Sequence, residues 1–145
     1  MAFRFSLISV LSLRKLAEER AYSRLEKVQQ EIHQLELQRT QVADWLSLCV
    51  RNRESELSKG TSALRLQSQY EQMLALEQRL ARLELQVREL YSTRAQYTKE
   101  YQEARQKREV MEELRERKLN EYLRHETKQQ QRALDDLFLA RRHGR

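Results

Sequence analysis

The segment that decides the fold lies near the middle of the chain, where residues 52–62 read NRESELSKGTS. It contains Gly60, one of only two glycines, and the 145 residues include no proline. Inside a helix proline costs roughly 3 kcal/mol and glycine about 1 kcal/mol relative to alanine, so both usually mark helix ends. Gly60 suits the left-handed residue after one helix, and Thr61 or Ser62 suits the cap of the next. The segment therefore predicts one turn between two long helices.

Apolar residues before this turn recur with the spacing of a coiled coil. With Arg39 filling one position, the steps alternate between three and four residues at Leu25, Val28, Ile32, Leu35, Arg39, Val42, Leu46 and Cys49. Such a heptad repeat is typical of a helix that pairs with another along one narrow seam. Nearer the N-terminus, Leu13 and Ala17 lie on a neighbouring frame, which predicts a local shift of the seam.

The stretch after the turn repeats the pattern less regularly. Its expected seam positions are Leu66, Tyr70, Met73, Leu76, Leu80, Leu83, Val87 and Leu90. Two successive three-residue steps between Tyr70 and Leu76 predict a stammer, where the coiled coil is locally overwound.

Together these patterns predict an all-α fold, a long antiparallel two-helix coiled coil that forms a helical hairpin. We expect helix 1 over about residues 5–54, the turn over about 55–61 and helix 2 over about 62–140, in one domain spanning 1–145. At 1.5 Å per residue the helices are about 75 Å and 120 Å long, so about 25 to 30 residues should extend beyond helix 1 as a C-terminal overhang.

The predicted overhang carries apolar side chains without a partner in the same chain. They are Leu119, Tyr122, Leu123, Leu134, Leu137, Phe138 and Leu139. An unpaired apolar stripe of this kind usually binds another molecule. From Glu113 onward there are also nine lysine or arginine residues and six acidic ones, a net charge of +3. That surplus fits either a solvated face or an electrostatic dock for a partner.

A second apolar surface is predicted on helix 1 near the turn. Trp45 and Leu48 lie beside the seam residues Val42, Leu46 and Cys49, so the apolar stripe is wider there than a two-helix seam requires. One interpretation is that Trp45 and Leu48 cover the flank of the coil. The other is a partner-binding patch, because tryptophan is enriched among interface anchors.

The composition argues against several functional classes. Charged residues make up 34% of the chain and aromatic residues 7%, which leaves room for a seam but not for a thick core. The net charge is +6, yet 28 basic residues are interleaved with 22 acidic ones, so we expect no nucleic acid partner. Phosphate-binding glycine loops and metal-ligand spacings are missing, and Cys49 is the single cysteine. We therefore expect no enzyme activity, no cofactor, no metal and no small-molecule substrate.

The sequence also predicts where the protein resides. No apolar run approaches the roughly 20 residues that span a bilayer. The start, MAFRFSLISVLSL, lacks a small-residue cleavage site and leads directly into charged residues, so we expect it to be retained as the start of a helix. The lone cysteine fits a reducing cytoplasm.

Several of these features occur together in one known family. They are FRFSL at residues 3–7, RKLAEE at 14–19, the single turn near Gly60, and LDDL at 134–137 followed by Arg141 and Arg142. In these features and in size the chain resembles the flagellar export protein FliJ family, and more distantly its counterparts in virulence type III secretion.

The resemblance implies a function. Proteins of this family are antiparallel two-helix coiled coils similar to the central stalk of rotary ATPases. They associate with the hexameric export ATPase, promote its assembly or activity, and contact the export-gate membrane protein; escort of export chaperones has also been proposed for them. The chain would then be a non-enzymatic component of the flagellar type III export apparatus, cytoplasmic and peripheral at the inner membrane.

The resemblance also suggests which residues meet each partner. The end of the hairpin with both termini would enter the ATPase ring, which points to Leu119, Tyr122, Leu123, Arg124, Leu134, Leu137 and Phe138. The family's gate contact matches Gln38, Val42, Trp45 and Cys49, although Cys49 stands where the family can have an aromatic residue.

Two other hypotheses stay open on the sequence. The first is a generic structural scaffold that self-associates through the overhang and needs no ATPase. The second is a basic adaptor for nucleic acid or an anionic membrane, whose binding would weaken steeply with salt.

Overall fold

A computed structural model describes residues 2–144, and its regular structure consists of two helices. Helix α1 covers Ile8–Lys59, which is 52 residues, and helix α2 covers Ala63–His143, which is 81 residues. The two helices pack against each other, and residues 2–144 contain no strand. The predicted all-α helical hairpin is therefore confirmed. Met1 and Arg145, the ends of the predicted domain, lie outside the described residues.

The turn is shorter than predicted, because α1 continues to Lys59 instead of ending near residue 54. The last turns of α1 are held by contacts with α2, since Glu56 forms an ion pair with Arg65 at 2.7 Å and accepts a hydrogen bond from Gln69. Gly60 then takes a φ of 85°, the left-handed conformation that glycine adopts without steric cost. The Ser62 hydroxyl accepts the Arg65 amide at 3.3 Å and so caps α2.

The contacts within the chain divide it into two compact units. The first, called here the terminal unit, comprises Met1–Ala21 and Tyr101–Arg145; the second, called the turn unit, comprises Tyr22–Glu100. Each unit contains a segment of both helices. The expectation that the whole chain forms one domain stays a prediction.

In the turn unit a narrow apolar seam joins the two helices. Its buried side chains are Leu25, Val28, Ile32 and Val42 from α1, and Leu83 and Val87 from α2. Glu36 pairs with Tyr91, whereas Arg53, further along α1, contacts Met73 at 3.9 Å. Because partner numbers on α2 fall as those on α1 rise, the helices are antiparallel. The Tyr91 hydroxyl donates to the Glu36 carboxylate, and this hydrogen bond raises the pKa of Tyr91 above its ordinary value.

The predicted stammer in α2 is absent, and Tyr70 is not a seam residue. Its side chain is 54% exposed, and its ring lies beside the Arg53 guanidinium, 5.9 Å from the guanidinium carbon. Gln69 occupies the seam position instead, because its amide reaches Glu56 across the turn. The seam therefore steps from Leu66 to Gln69 and on to Met73 in an unbroken heptad frame. The polar Gln69 thus occupies the seam position that the apolar pattern had assigned to its neighbour Tyr70.

In the terminal unit the seam of α1 also keeps its frame, and the predicted shift towards Leu13 and Ala17 is wrong. Leu13 is 65% exposed and Ala17 is exposed, whereas Leu11 is only 1% exposed. The frame runs through Arg14 and Glu18, which are half-buried. Glu18 can occupy its seam position because α2 supplies a partner of opposite charge.

That partner is Arg108. Its guanidinium donates to both carboxylate oxygens of Glu18 and to Glu112 at 2.7 Å, while Lys15 lies 3.9 Å from Glu112. The side chains of Arg108 and Glu18 are only 21% and 17% exposed. The hydrogen bonds to Glu18 and Glu112 raise the pKa of Arg108 beyond its ordinary value although burial opposes this. We call Lys15, Glu18, Arg108 and Glu112 the ionic layer of the terminal unit.

Gly60→Ala should destabilise the hairpin by about 1 kcal/mol, because an L-residue is strained at this φ. The loss should come from the backbone alone, since a Cβ at Gly60 would meet nothing within 4 Å. Urea unfolding followed by circular dichroism measures it. Gly60→Asn is the control, because asparagine tolerates the left-handed region better and should lose less. Equal losses in the two variants would contradict this explanation of the turn.

Glu18→Gln should lower the urea midpoint more than Glu19→Gln. Glu18 is held in the ionic layer, whereas Glu19 is exposed and makes none of the ion pairs found among residues 2–144. The difference should shrink in 1 M salt, where the screening length is about 3 Å. Equal midpoints for both variants at low salt would show that the ionic layer does not hold the helices together.

Candidate partner-binding surfaces

An apolar groove lies between the helices of the turn unit. It has a volume of about 480 Å³ and is lined by Trp45, Leu48 and Cys49 of α1 and by Gln72, Ala75 and Leu76 of α2. Cys49 and Leu76 belong to the seam and are half-buried, while the other four side chains flank it and are exposed. We call this surface the turn-unit groove.

The groove exists because the apolar stripe of α1 is wider than its partner helix can cover. Trp45 is 57% exposed and Leu48 is 52% exposed, although both are large apolar side chains. The facing residue Ala75 is too small to shield them. Of the two interpretations of Trp45, covering the flank of the coil accounts for less than half of its surface. The remaining surface is available to a partner.

The four residues expected to contact the export gate have different surroundings. Trp45 and Cys49 line the groove together. Val42 is only 2% exposed, so it supports the seam beneath this face and presents almost no surface to a partner. Gln38 is exposed but outside the groove lining, on the same face as Trp45 because it lies seven residues earlier. The role of these residues in gate binding stays a prediction.

Sequence reasoning missed the α2 wall of the groove. Leu76 was expected as a seam residue, but Gln72 and Ala75 were not singled out, because neither lies on the apolar pattern of α2. The correct signal was the pairing about Gly60. Once Arg53 is matched with Met73, antiparallel geometry brings residues 72–76 opposite the stretch around Cys49.

A second surface lies in the terminal unit, on α2 beyond its last contacts. Leu119, Tyr122 and Glu126 are half-buried, and every residue from 127 to 144 is exposed. The overhang, defined here as residues 127–143, thus contains 17 residues and is about 25 Å long. Its large apolar side chains include Leu134 at 65% exposure, Leu137 at 63% and Phe138 at 70%.

The overhang begins later than predicted, and Tyr122 has a partner in its own chain. The rings of Phe3 and Tyr122 lie 5.6 Å apart, inclined by 47°. The prediction assumed a helix from about residue 5, but α1 begins at Ile8. Non-helical residues can span more than the 1.5 Å per residue of a helix, so the N-terminal segment reaches further along α2 than helical arithmetic allows.

The overhang has an apolar side and a basic side. Leu134, Leu137 and Phe138 are three and four residues apart and share one face of the helix. Lys128 and Arg132 lie on a different face, which continues back to Arg124 just before the overhang and carries one acid, Asp135. Leu123, at 48% exposure, lies three helical turns before Leu134 and extends the apolar face towards the hairpin. The arrangement fits a partner that offers an apolar groove with acidic edges.

Tyr122 stands where the covered part of α2 meets the overhang. Its hydroxyl donates to the Glu126 carboxylate at 2.8 Å. This hydrogen bond, together with burial and the nearby negative charge, raises the pKa of Tyr122 above its ordinary value.

The family to which this chain belongs follows from comparison with known proteins. The family model described as "Flagellar FliJ protein" matches residues 3–145, nearly the whole chain. The chain belongs to the FliJ family. Comparison with curated proteins and with solved structures gives no match.

Membership in the FliJ family makes the chain a component of the flagellar protein export apparatus, in which this family is a non-catalytic accessory part. The helical hairpin found here agrees with the fold expected of the family. None of the helices within residues 2–144 is both long and apolar enough to cross a lipid bilayer.

Val42→Ala should destabilise the hairpin by about 2 kcal/mol, because it removes buried methyl groups from the seam. Trp45→Ala should cost under about 1 kcal/mol despite removing a larger side chain, since most of that side chain is already exposed. Urea unfolding followed by circular dichroism compares the two without relying on tryptophan fluorescence. A larger loss for Trp45→Ala would mean that Trp45 belongs to the core and not to an available surface.

Proposed function

We propose that this FliJ-family protein is a non-enzymatic, stalk-like accessory of the flagellar type III export apparatus that binds and stimulates a hexameric export ATPase through its overhang. The observation that carries the proposal is the overhang itself. Seventeen successive exposed helical residues present large apolar side chains that the described part of the chain leaves uncovered. A helix with this pattern is suited to insertion into a groove or channel of another protein.

The energetics favour an interface centred on the apolar side. Fully burying a leucine or phenylalanine side chain contributes about 1.5–3 kcal/mol, so Leu134, Leu137 and Phe138 together contribute roughly 5–9 kcal/mol. Association itself costs an estimated 4–15 kcal/mol, so these three residues alone do not give tight binding. The basic side formed by Arg124, Lys128 and Arg132 supplies steering towards acidic surfaces of the ring. Leu119, Tyr122 and Leu123 would extend the same contact towards the hairpin.

The turn-unit groove is proposed to contact the export-gate membrane protein. Trp45 provides a large, partly exposed aromatic surface next to an apolar cleft, which is the usual form of an interface anchor. An apolar side chain of the gate protein could enter the cleft between Trp45 and Leu76. Such a contact would keep the protein in the cytoplasm, peripheral to the inner membrane. Export chaperones are a further proposed partner.

The alternative function is a self-associating scaffold, in which the overhang of a second copy covers the apolar side. It is favoured by the same exposed leucines, and the net charge of +6 opposes it, because two like-charged copies repel each other. The oligomeric state at micromolar concentration separates the two functions. Our proposal expects a monomer by light scattering, and a stable dimer or filament would favour the scaffold.

Leu137→Ser with Phe138→Ser should weaken binding to the purified export ATPase at least tenfold and reduce the stimulation of ATP hydrolysis, because the apolar side is lost. The matched control is Leu85→Ser with Val110→Ser, which removes two α2 side chains that are each 56% exposed but lie outside the overhang. Isothermal titration and phosphate release measure the two effects. An equal loss in both double variants, or none in either, would contradict the proposed role of the overhang.

Trp45→Ala should weaken binding to the cytoplasmic part of the export-gate protein several-fold without changing ATPase stimulation. Leu37→Ala serves as the control, since Leu37 is 52% exposed on α1 and does not line the groove. Loss of ATPase stimulation in Trp45→Ala, or unchanged gate binding, would argue that the groove and the overhang do not serve separate partners.

A further inference from the structure

The N-terminal segment of the chain covers part of the apolar face that leads into the overhang. Residues 2–7 precede α1 and are not helical. Phe3 is half-buried, with its ring 5.6 Å from that of Tyr122. Phe5 is 8% exposed and Leu11 only 1% exposed, so the chain is anchored immediately after Phe3.

The covered face and the exposed face are one continuous surface of α2. Leu137 lies eighteen residues after Leu119, which is five full helical turns, so both point in the same direction. Leu123 and Leu134 are related in the same way over three turns. A partner that binds the apolar side of the overhang therefore meets Phe3 when its contact extends towards Tyr122.

We propose that residues 2–4 form a latch whose Phe3 side chain competes with the overhang's partner for the face around Tyr122. This inference rests on the proposed function, because it concerns regulation of the same binding surface. In the closed form Phe3 covers Tyr122 and the partner can use only the overhang. In the open form the latch leaves, and the available face extends from Tyr122 to Phe138.

The latch can open without unfolding the hairpin. Its attachment is local, because Phe5 and Leu11, which are both buried, anchor the chain directly after it. The ionic layer around Arg108 holds α1 to α2 independently of Phe3. Opening therefore gives up the Phe3–Tyr122 contact and little of the seam.

The strength of the contact sets the expected effect. An aromatic pair of this geometry changes the equilibrium constant between the closed and the open latch by a factor of about two to ten. Because the partner reaches the extended face only in the open form, a closed latch weakens the apparent affinity by up to a similar factor. A partner that binds the extended face can therefore displace the latch. A molecule that contacts this face only weakly cannot.

Phe3→Ala should tighten binding to the purified export ATPase about three- to tenfold, since the latch no longer competes. Leu13→Ala is the matched control, because Leu13 lies on α1, is 65% exposed and should leave the affinity unchanged. Circular dichroism of both variants verifies that the hairpin is intact, and a chain without residues 2–4 should reproduce the effect of Phe3→Ala. Weaker binding of Phe3→Ala would overturn the latch, because Phe3 would then belong to the binding surface itself.

A second measurement needs no ATPase. Nitration of Tyr122 by tetranitromethane, followed by mass spectrometry, should be faster in Phe3→Ala than in the unaltered chain, with Tyr91 as the internal reference. Equal rates would overturn the latch. If the unaltered chain binds the ATPase and Phe3→Ala binds equally well, the latch is wrong and the proposed function stands. If no variant binds the ATPase, the proposed function is wrong, and the latch as a regulator of that binding is wrong with it.

Discussion

Two helices that pair only with each other can bury no more than one narrow stripe of each, and this constraint governs the rest of the molecule. Among residues 2–144 only eight apolar side chains are buried, and no charged or polar one is. All remaining apolar residues must therefore be half-buried or exposed. Where the stripe is wider than the partner helix can cover, around Trp45, a groove results. Where contact with the N-terminal segment ends, past Tyr122, an exposed apolar side results.

Because the seam is narrow, the pairing of the two helices also depends on the polar residues at seam positions. Arg108 satisfies Glu18 across the helices and Glu112 along its own helix, so charges occupy seam positions without leaving a carboxylate unpaired. Apolar residues at Glu18 and Arg108 would bury more surface, but they would specify the pairing less strictly, because charged partners penalise a slipped register. Gln69 makes a similar contribution near the turn by reaching Glu56. The side chains that fix the register are thus largely polar.

Much of the fold could be predicted from the sequence, because heptad spacing and the position of Gly60 are local signals. The seam from Leu25 to Cys49, the single reversal and the exposed leucines of the overhang were all predictable. Tyr70 was misplaced because apolar periodicity cannot show that a glutamine will find a carboxylate across the turn. The contact of Phe3 with Tyr122 joins residues far apart in the chain, and it depends on where α1 begins. Ala75 and Gln72 carry no signal of their own, since only the register makes them part of the groove.

The proposed function requires that the overhang is free in the isolated protein and occupied in its complex. Amide hydrogen exchange of α2, measured by mass spectrometry with and without the export ATPase, tests this most directly. Residues 83–87 should be strongly protected in both states, whereas residues 127–143 should exchange rapidly alone and become protected only when the ATPase is added. Strong protection of residues 127–143 in the isolated chain, or rapid exchange that the ATPase does not slow, would contradict the account.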